Sequence, residues 1–127
     1  MPLVRISMMQ ENADQYGKKA GEIIYNAMKE IFSVPEHDHF QVITGHNKES
    51  LIYSPEYLGI ERGDGIVIIQ ITLNAGRSVD LKKAFYKEVA DQLHEQLAIR
   101  KEDVFINLVE VSKENWSFGN GIAQYAQ

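Results

Sequence analysis

The 127-residue sequence contains no cysteine, so disulfides, thiol nucleophiles and thiolate metal sites are excluded. Long apolar runs are missing as well. The strand-like stretch IVIIQI (Ile66–Ile71) is far too short to span a bilayer. Gln10, Glu11, Asn12 and Asp14 interrupt any signal-peptide core near the start. Positive charge is in deficit: Lys and Arg total 13 against 18 Asp and Glu, a formal net charge of -5. That balance argues against nucleic acid or an anionic membrane as the main partner, while leaving room for one local cationic pocket. GDG and FGNG lack the spacing of nucleotide-binding glycine loops, and no HExxH, calcium loop or nucleophile elbow occurs. The expectation is a soluble cytoplasmic domain that uses no cofactor and no metal.

What is present is strong alternation and strong helical periodicity. Leu3–Met8 reads as a strand. Asn12 with Gln15 reads as a helix cap, followed by the stripe Tyr16, Ala20, Ile23, Ile24, Ala27, Met28 and Ile31, ending before Pro35. Phe40–Thr44 reads as a second strand and Pro55–Leu58 as one helical turn. ERGDG (Glu61–Gly65) turns the chain into Ile66–Leu73, whose near-continuous apolar character marks a central strand. Ser78 is placed to cap a second helix carrying Leu81, Phe85, Val89, Leu93 and Leu97 at four-residue spacing. Val104–Val111 forms the last main strand, WSFGNG (Trp116–Gly121) bends the chain, and Ile122–Tyr125 reads as a short edge strand. The order strand-helix-strand, repeated, predicts a single α+β domain over residues 1–127. It is a two-layer sandwich, β-α-β-β-α-β, with two pseudo-repeated βαβ halves and helices on one face. The other sheet face then needs cover, which a homo-oligomer would supply.

Five residues stand out chemically. Pro2 starts the first strand, where its missing N–H costs nothing. With Met1 removed it would instead carry a secondary amine on a rigid strand end. An ordinary α-amine titrates near about 7.7–8.0, and a nearby cation or apolar pocket lowers that value. Arg77 follows the central strand in the bend NAGRS. It is either a surface arginine paired with an acid or a planar fork for a substrate carboxylate. Asp38, in PEHDHF, is a turn aspartate or a group that orients water and accepts a proton. Flanking His37 and His39 could suggest a metal, but with only four histidines and no HExxH motif the sequence argues against one. Trp116 and Phe118, two apart, either pack a core or interface or wall a dry pocket.

Taken together, MPL, VPEHDHFQVIT (Val34–Thr44), VIIQITLNAGRS (Val67–Ser78), KKAFY (Lys82–Tyr86), EDVFINLVE (Glu102–Glu110) and NWSFGNGIAQ (Asn115–Gln124) resemble the tautomerase superfamily, in particular its malonate semialdehyde decarboxylase-like branch. The resemblance covers essentially the whole chain. It implies a tautomerase-like fold, a homotrimer, a small carboxylate-bearing substrate and removal of Met1 to expose Pro2. It also implies Pro2, Asp38 and Arg77 as catalytic residues, with Arg77, Trp116 and Phe118 binding substrate. One departure is visible: that branch carries two arginines after the central strand, and here Ala75 replaces one. The resemblance therefore points first to keto–enol tautomerisation of small 2-oxo or 2-enol acids. Decarboxylation or hydration of a three-carbon acid stands second, and a non-catalytic oligomeric binding protein third.

Overall fold

The computed structural model of the chain describes residues 2–126. Its main sheet is built from β1 (Leu3–Met9), β2 (Phe40–His46), β5 (Val67–Asn74) and β6 (Val104–Val111), in the order β2-β1-β5-β6. A small hairpin, β3 (Glu56–Tyr57) and β4 (Ile60–Glu61), lies between the halves in sequence. β1 runs parallel to β2, and β5 parallel to β6, while the central β1–β5 pair is antiparallel with Leu3 opposite Thr72. The crossovers are α1 (Gln10–Phe32) and α2 (Val79–Leu97). The domain is thus two βαβ units joined along one antiparallel seam, as the sequence order predicts.

Alternation decides which side of each strand is dry. Val4, Ile6 and Met8 of β1 and Val67, Ile69, Ile71 and Leu73 of β5 are buried. They meet Ile24 and Met28 of α1 and Phe85, Val89 and Leu93 of α2 in one core. Leu81 and Leu97, at the ends of the predicted α2 stripe, are exposed and partly buried respectively. α1 comes close to β2 because it carries glycine where the two cross. A Cβ on Gly21 would run into the Gln41 side chain, whose amide donates to the Gly21 carbonyl at 2.8 Å.

Helix ends follow local chemistry in three cases of four. Ser78 caps α2, its hydroxyl accepting from the Leu81 N–H at 3.2 Å. α1 stops at Ser33, which adopts left-handed φ 56, ψ 36, while the Ser33 and Val34 N–H groups both donate to the Met28 carbonyl before Pro35. α2 stops in the same way at Ala98. The start of α1 corrects the sequence reading. The helix opens at Gln10, capped by no side chain, and Asn12 lies inside it, donating to the Asp64 carbonyl at 3.1 Å. The geometric break sits at Tyr16 (φ -145, ψ 15).

Two further expectations are overturned. Pro55–Leu58 is not a helical turn, because Glu56 and Tyr57 pair with Glu61 and Ile60 across a bend where Leu58 and Gly59 both have positive φ. Ile122–Tyr125 is not an edge strand, because Gln124–Ala126 coil into a short 3₁₀ turn. The face of the sheet away from the helices exposes Phe40, Val42, Phe105 and Val109. On that face β5 presents Ile68, Gln70, Thr72 and Asn74, more polar than the expected all-apolar strand. No helix among the described residues is long and apolar enough to cross a membrane.

Two stability predictions follow from this packing. Phe85 is fully buried and stacks on Phe32 with ring centroids 4.5 Å apart. Phe85→Ala is expected to lower unfolding free energy by about 3–5 kcal/mol, read from urea denaturation. Asp91 is bonded by Lys87 at 2.6 Å and by Lys101 at 2.9 Å, and these two ammonium groups hold its carboxyl at about 2. A carboxyl lowered on folding stabilises above its unfolded value of about 3.9, and that contribution disappears as pH falls through the folded value. The melting-temperature gap between wild type and Asp91→Asn is therefore expected to be full at pH 6 and to narrow steadily from pH 4 to pH 2.

Candidate active site

The strand directions collect the singled-out residues at one end of the sheet. Pro2 directly precedes β1, and Asp38 lies two residues before β2, whose first residue Phe40 pairs with Leu3. Because β5 runs antiparallel to β1, its last residue, Asn74, emerges at this same end and leads through the bend to Arg77. β6 also finishes here, delivering the segment with Trp116 and Phe118. Pro2 itself is buried. Met1 lies outside the described residues.

The loop that brings Asp38 is braced on all sides. His37 takes left-handed φ 70, and the Asp38 N–H turns back to the Pro35 carbonyl at 3.3 Å. His39 lies flat on Tyr25, with ring centroids 4.0 Å apart and planes 3° apart. The Tyr25 hydroxyl reaches the Pro35 carbonyl at 3.4 Å, and Lys29 both covers the Tyr25 ring and pairs with Glu36. His39 is thereby packed as an aromatic platform, and Asp38 sits half-buried between the two histidines.

Arg77 is held without being neutralised. Its guanidinium carbon stands 5.0 Å from the centre of the Phe32 ring, and its Nη1 donates to the Asn74 carbonyl at 3.0 Å. Nε is buried and has no hydrogen-bond partner among the described residues, and no described carboxylate forms an ion pair with the group. Glu110, the acid nearby, is already occupied. It accepts from Lys82 at 2.7 Å and from the Gly76 N–H at 3.4 Å. The Lys82 contact, with smaller help from Gly76 and Arg77, lowers its carboxyl below the usual range. The acid thus fastens the bend, and the fork of Arg77 retains N–H donors of the kind a carboxylate accepts.

An apolar cavity of about 220 Å³ lies at this end of the sheet, lined by Leu3, Phe40, Trp116, Ser117 and Phe118; Pro2, Asp38 and Arg77 are not among its lining residues. Trp116 and Phe118 stack at 5.6 Å, and Tyr125 meets Phe118 edge-on at 5.0 Å. The Trp116 Nε1–H donates to Asn74 Oδ1 at 2.7 Å. Gln124 closes the C-terminal bend, accepting from the Phe118 N–H at 3.0 Å and donating to the Gly119 carbonyl at 3.1 Å. Asn74, Gln124 and Tyr125 escape a sequence reading because their partners are set by the fold. The one available signal is that an indole N–H drawn inward needs an acceptor.

The family model for "Tautomerase enzyme" matches residues 38–119, well over half of the chain. The chain belongs to the tautomerase family. The match spans Asp38, Arg77, Trp116 and Phe118. This tautomerase-family enzyme is 42% identical over 124 residues to the probable tautomerase YusQ of Bacillus subtilis (strain 168), covering 98% of each chain. It is 30% identical to the probable tautomerase YrdN of the same organism, covering 98% of this chain and 96% of that one. Among solved structures it is similar to FG41 malonate semialdehyde decarboxylase inhibited by 3-bromopropiolate. The TM-score there is 0.88 and the identity 29%, with 97% of this chain and 93% of the other covered.

The Gln124 clasp yields a direct expectation. Gln124→Ala removes the acceptor of the Phe118 amide, so hydrogen exchange at Phe118 is expected to quicken. Overall stability should fall by only about 0.5–1.5 kcal/mol, the net worth of a hydrogen bond.

Proposed function

We propose that this tautomerase-family enzyme interconverts the enol and keto forms of small 2-oxo carboxylic acids, using the amine of Pro2 after removal of Met1. The observation that carries the reading is Arg77, a half-buried side chain whose Nε is buried and uncommitted, at the sheet end that Pro2 begins. A carboxylate on that fork places the neighbouring carbons between Pro2 and the apolar wall of Trp116 and Phe118. Neutral Pro2 takes the proton of the enol hydroxyl. The oxygen electron pair forms the C=O bond as the C=C bond opens, and the adjacent carbon receives a proton from the prolinium. One O–H bond is lost and one C–H bond gained, with no change in oxidation state. Asp38 orients the substrate or a water. The aromatic wall thins out bulk solvent, which strengthens the ionic contact. The chemistry needs no cofactor.

A second reading rests on the likeness to malonate semialdehyde decarboxylase. There, protonated Pro2 polarises a carbonyl and Asp38 positions water for decarboxylation or hydration of a three-carbon acid. A single arginine in the bend, with Ala75 beside it, favours the simpler proton shuttle. In either reading we take the working form to be a homotrimer. The exposed Phe40, Val42, Phe105 and Val109 supply an apolar face for subunit contact.

The test uses protein whose Met1 removal is confirmed by intact mass, assayed by ultraviolet absorbance on the enol of an arylpyruvate. Pro2→Ala is expected to lower kcat by about 10²-fold or more. Arg77→Met, which keeps an apolar stem on Phe32, is expected to raise KM at least tenfold. An unchanged Pro2→Ala rate would defeat the mechanism. Absence of any rate above buffer, with acetaldehyde and carbon dioxide released from malonate semialdehyde, would establish the second reading instead.

A further inference from the structure

We infer that Asn74 is a positioning residue that sets the aromatic wall and the carboxylate fork together, and that the neutrality of its side chain is essential to the site. Two independent contacts meet on this one residue. Its Oδ1 accepts from Trp116 Nε1 at 2.7 Å, and its main-chain carbonyl accepts from Arg77 Nη1 at 3.0 Å. Indole N–H is a donor only, so the amide is oriented with oxygen toward Trp116. As the last residue of β5, with its backbone in register with Val111, Asn74 is the final rigid point before the bend. Ala75 continues that anchoring by donating its N–H to the Val111 carbonyl at 3.0 Å. The loop groups on either side of the pocket therefore take their positions from a sheet residue, which is what keeps a site within sub-ångström tolerance.

The choice of amide over acid has an electrostatic reason. An aspartate here would accept equally well from the indole. It would also place a permanent anion beside a guanidinium that forms no ion pair among the described residues and meets Glu110 only at longer range. That anion would compete with the substrate carboxylate for the same fork. An apolar residue of similar size would leave the indole N–H without its acceptor and release the Trp116–Phe118 stack from the sheet. Asn74 satisfies both requirements at once.

The inference rests on the tautomerase reading of the site, and the test separates the two. Trp116 is the only tryptophan, so the ¹⁵N-labelled protein gives one indole N–H resonance, a readout independent of turnover. Asn74→Leu and Asn74→Asp are compared with wild type by this resonance and by kcat and KM for the arylpyruvate enol. In Asn74→Leu the indole proton is expected to move upfield and exchange faster, with kcat/KM falling at least tenfold. In Asn74→Asp it is expected to stay downfield, while KM rises at least tenfold with little change in kcat. An indole resonance unmoved in Asn74→Leu would overturn the inference. So would a moved resonance with unaltered kcat/KM, or an Asn74→Asp variant with wild-type KM. Should Asn74→Leu fail to fold, the Asn74→Asp pair of readouts decides alone. A wild-type protein inactive on every enol would defeat the tautomerase reading. The indole shift would then decide whether Asn74 latches Trp116.

Discussion

The antiparallel seam between β1 and β5 is the constraint on which the site depends. Each half of the domain contributes a parallel pair, and parallel pairs alone say nothing about how the halves meet. Pairing Leu3 with Thr72 and Met8 with Val67 fixes that relation to within one residue. A slip of one would turn Val4, Ile6 and Met8 out of the core, so burial of those side chains enforces the register. The same register sets the start of the first strand beside the end of the third main strand. A proline and an arginine 75 positions apart in sequence thus reach one end of one sheet.

From that seam outward, the cation is built in layers. Phe85 supports Phe32, Phe32 carries the guanidinium, and the Asn74 carbonyl restrains one of its nitrogens. The neighbouring acid is drawn off by Lys82. Arginine suits this setting because its charge survives burial against an aromatic face, where an ammonium would lose hydration. Packing and electrostatics are therefore one design here: the core residue that stabilises the fold also aims the charge.

Much of this was legible in the sequence because it depends on local pattern. The Val104–Val111 strand, the Ser78 cap and the stop before Pro35 are read from alternation, a hydroxyl and a ring. The paired βαβ order follows from their sequence alone. The failures share a different cause. Asn12 has the right side chain for a cap, but Asp64 from a distant loop takes its amide and the helix opens earlier. Residues 55–58 read locally as one turn of helix, yet the pairing of Tyr57 with Ile60 makes them part of a hairpin. At the site, Pro2, Asp38, Arg77, Trp116 and Phe118 could be singled out by chemistry and by resemblance. Asn74 could not, since its importance lies in two partners that the fold alone brings to it.

The two-fold character of the sheet has a consequence for its two ends. A sheet made of two matched halves has two matched ends. Ile66 stands before β5 as Pro2 stands before β1, and Asp103 stands before β6 much as Asp38 stands before β2. At that second end Asp103 is 3% exposed, and its carboxylate accepts the Gly63 N–H at 2.9 Å. The chain has filled its own duplicate. One end of the molecule is closed with a turn of backbone, and the acid there serves as mortar. The other keeps a hollow walled by Trp116 and Phe118.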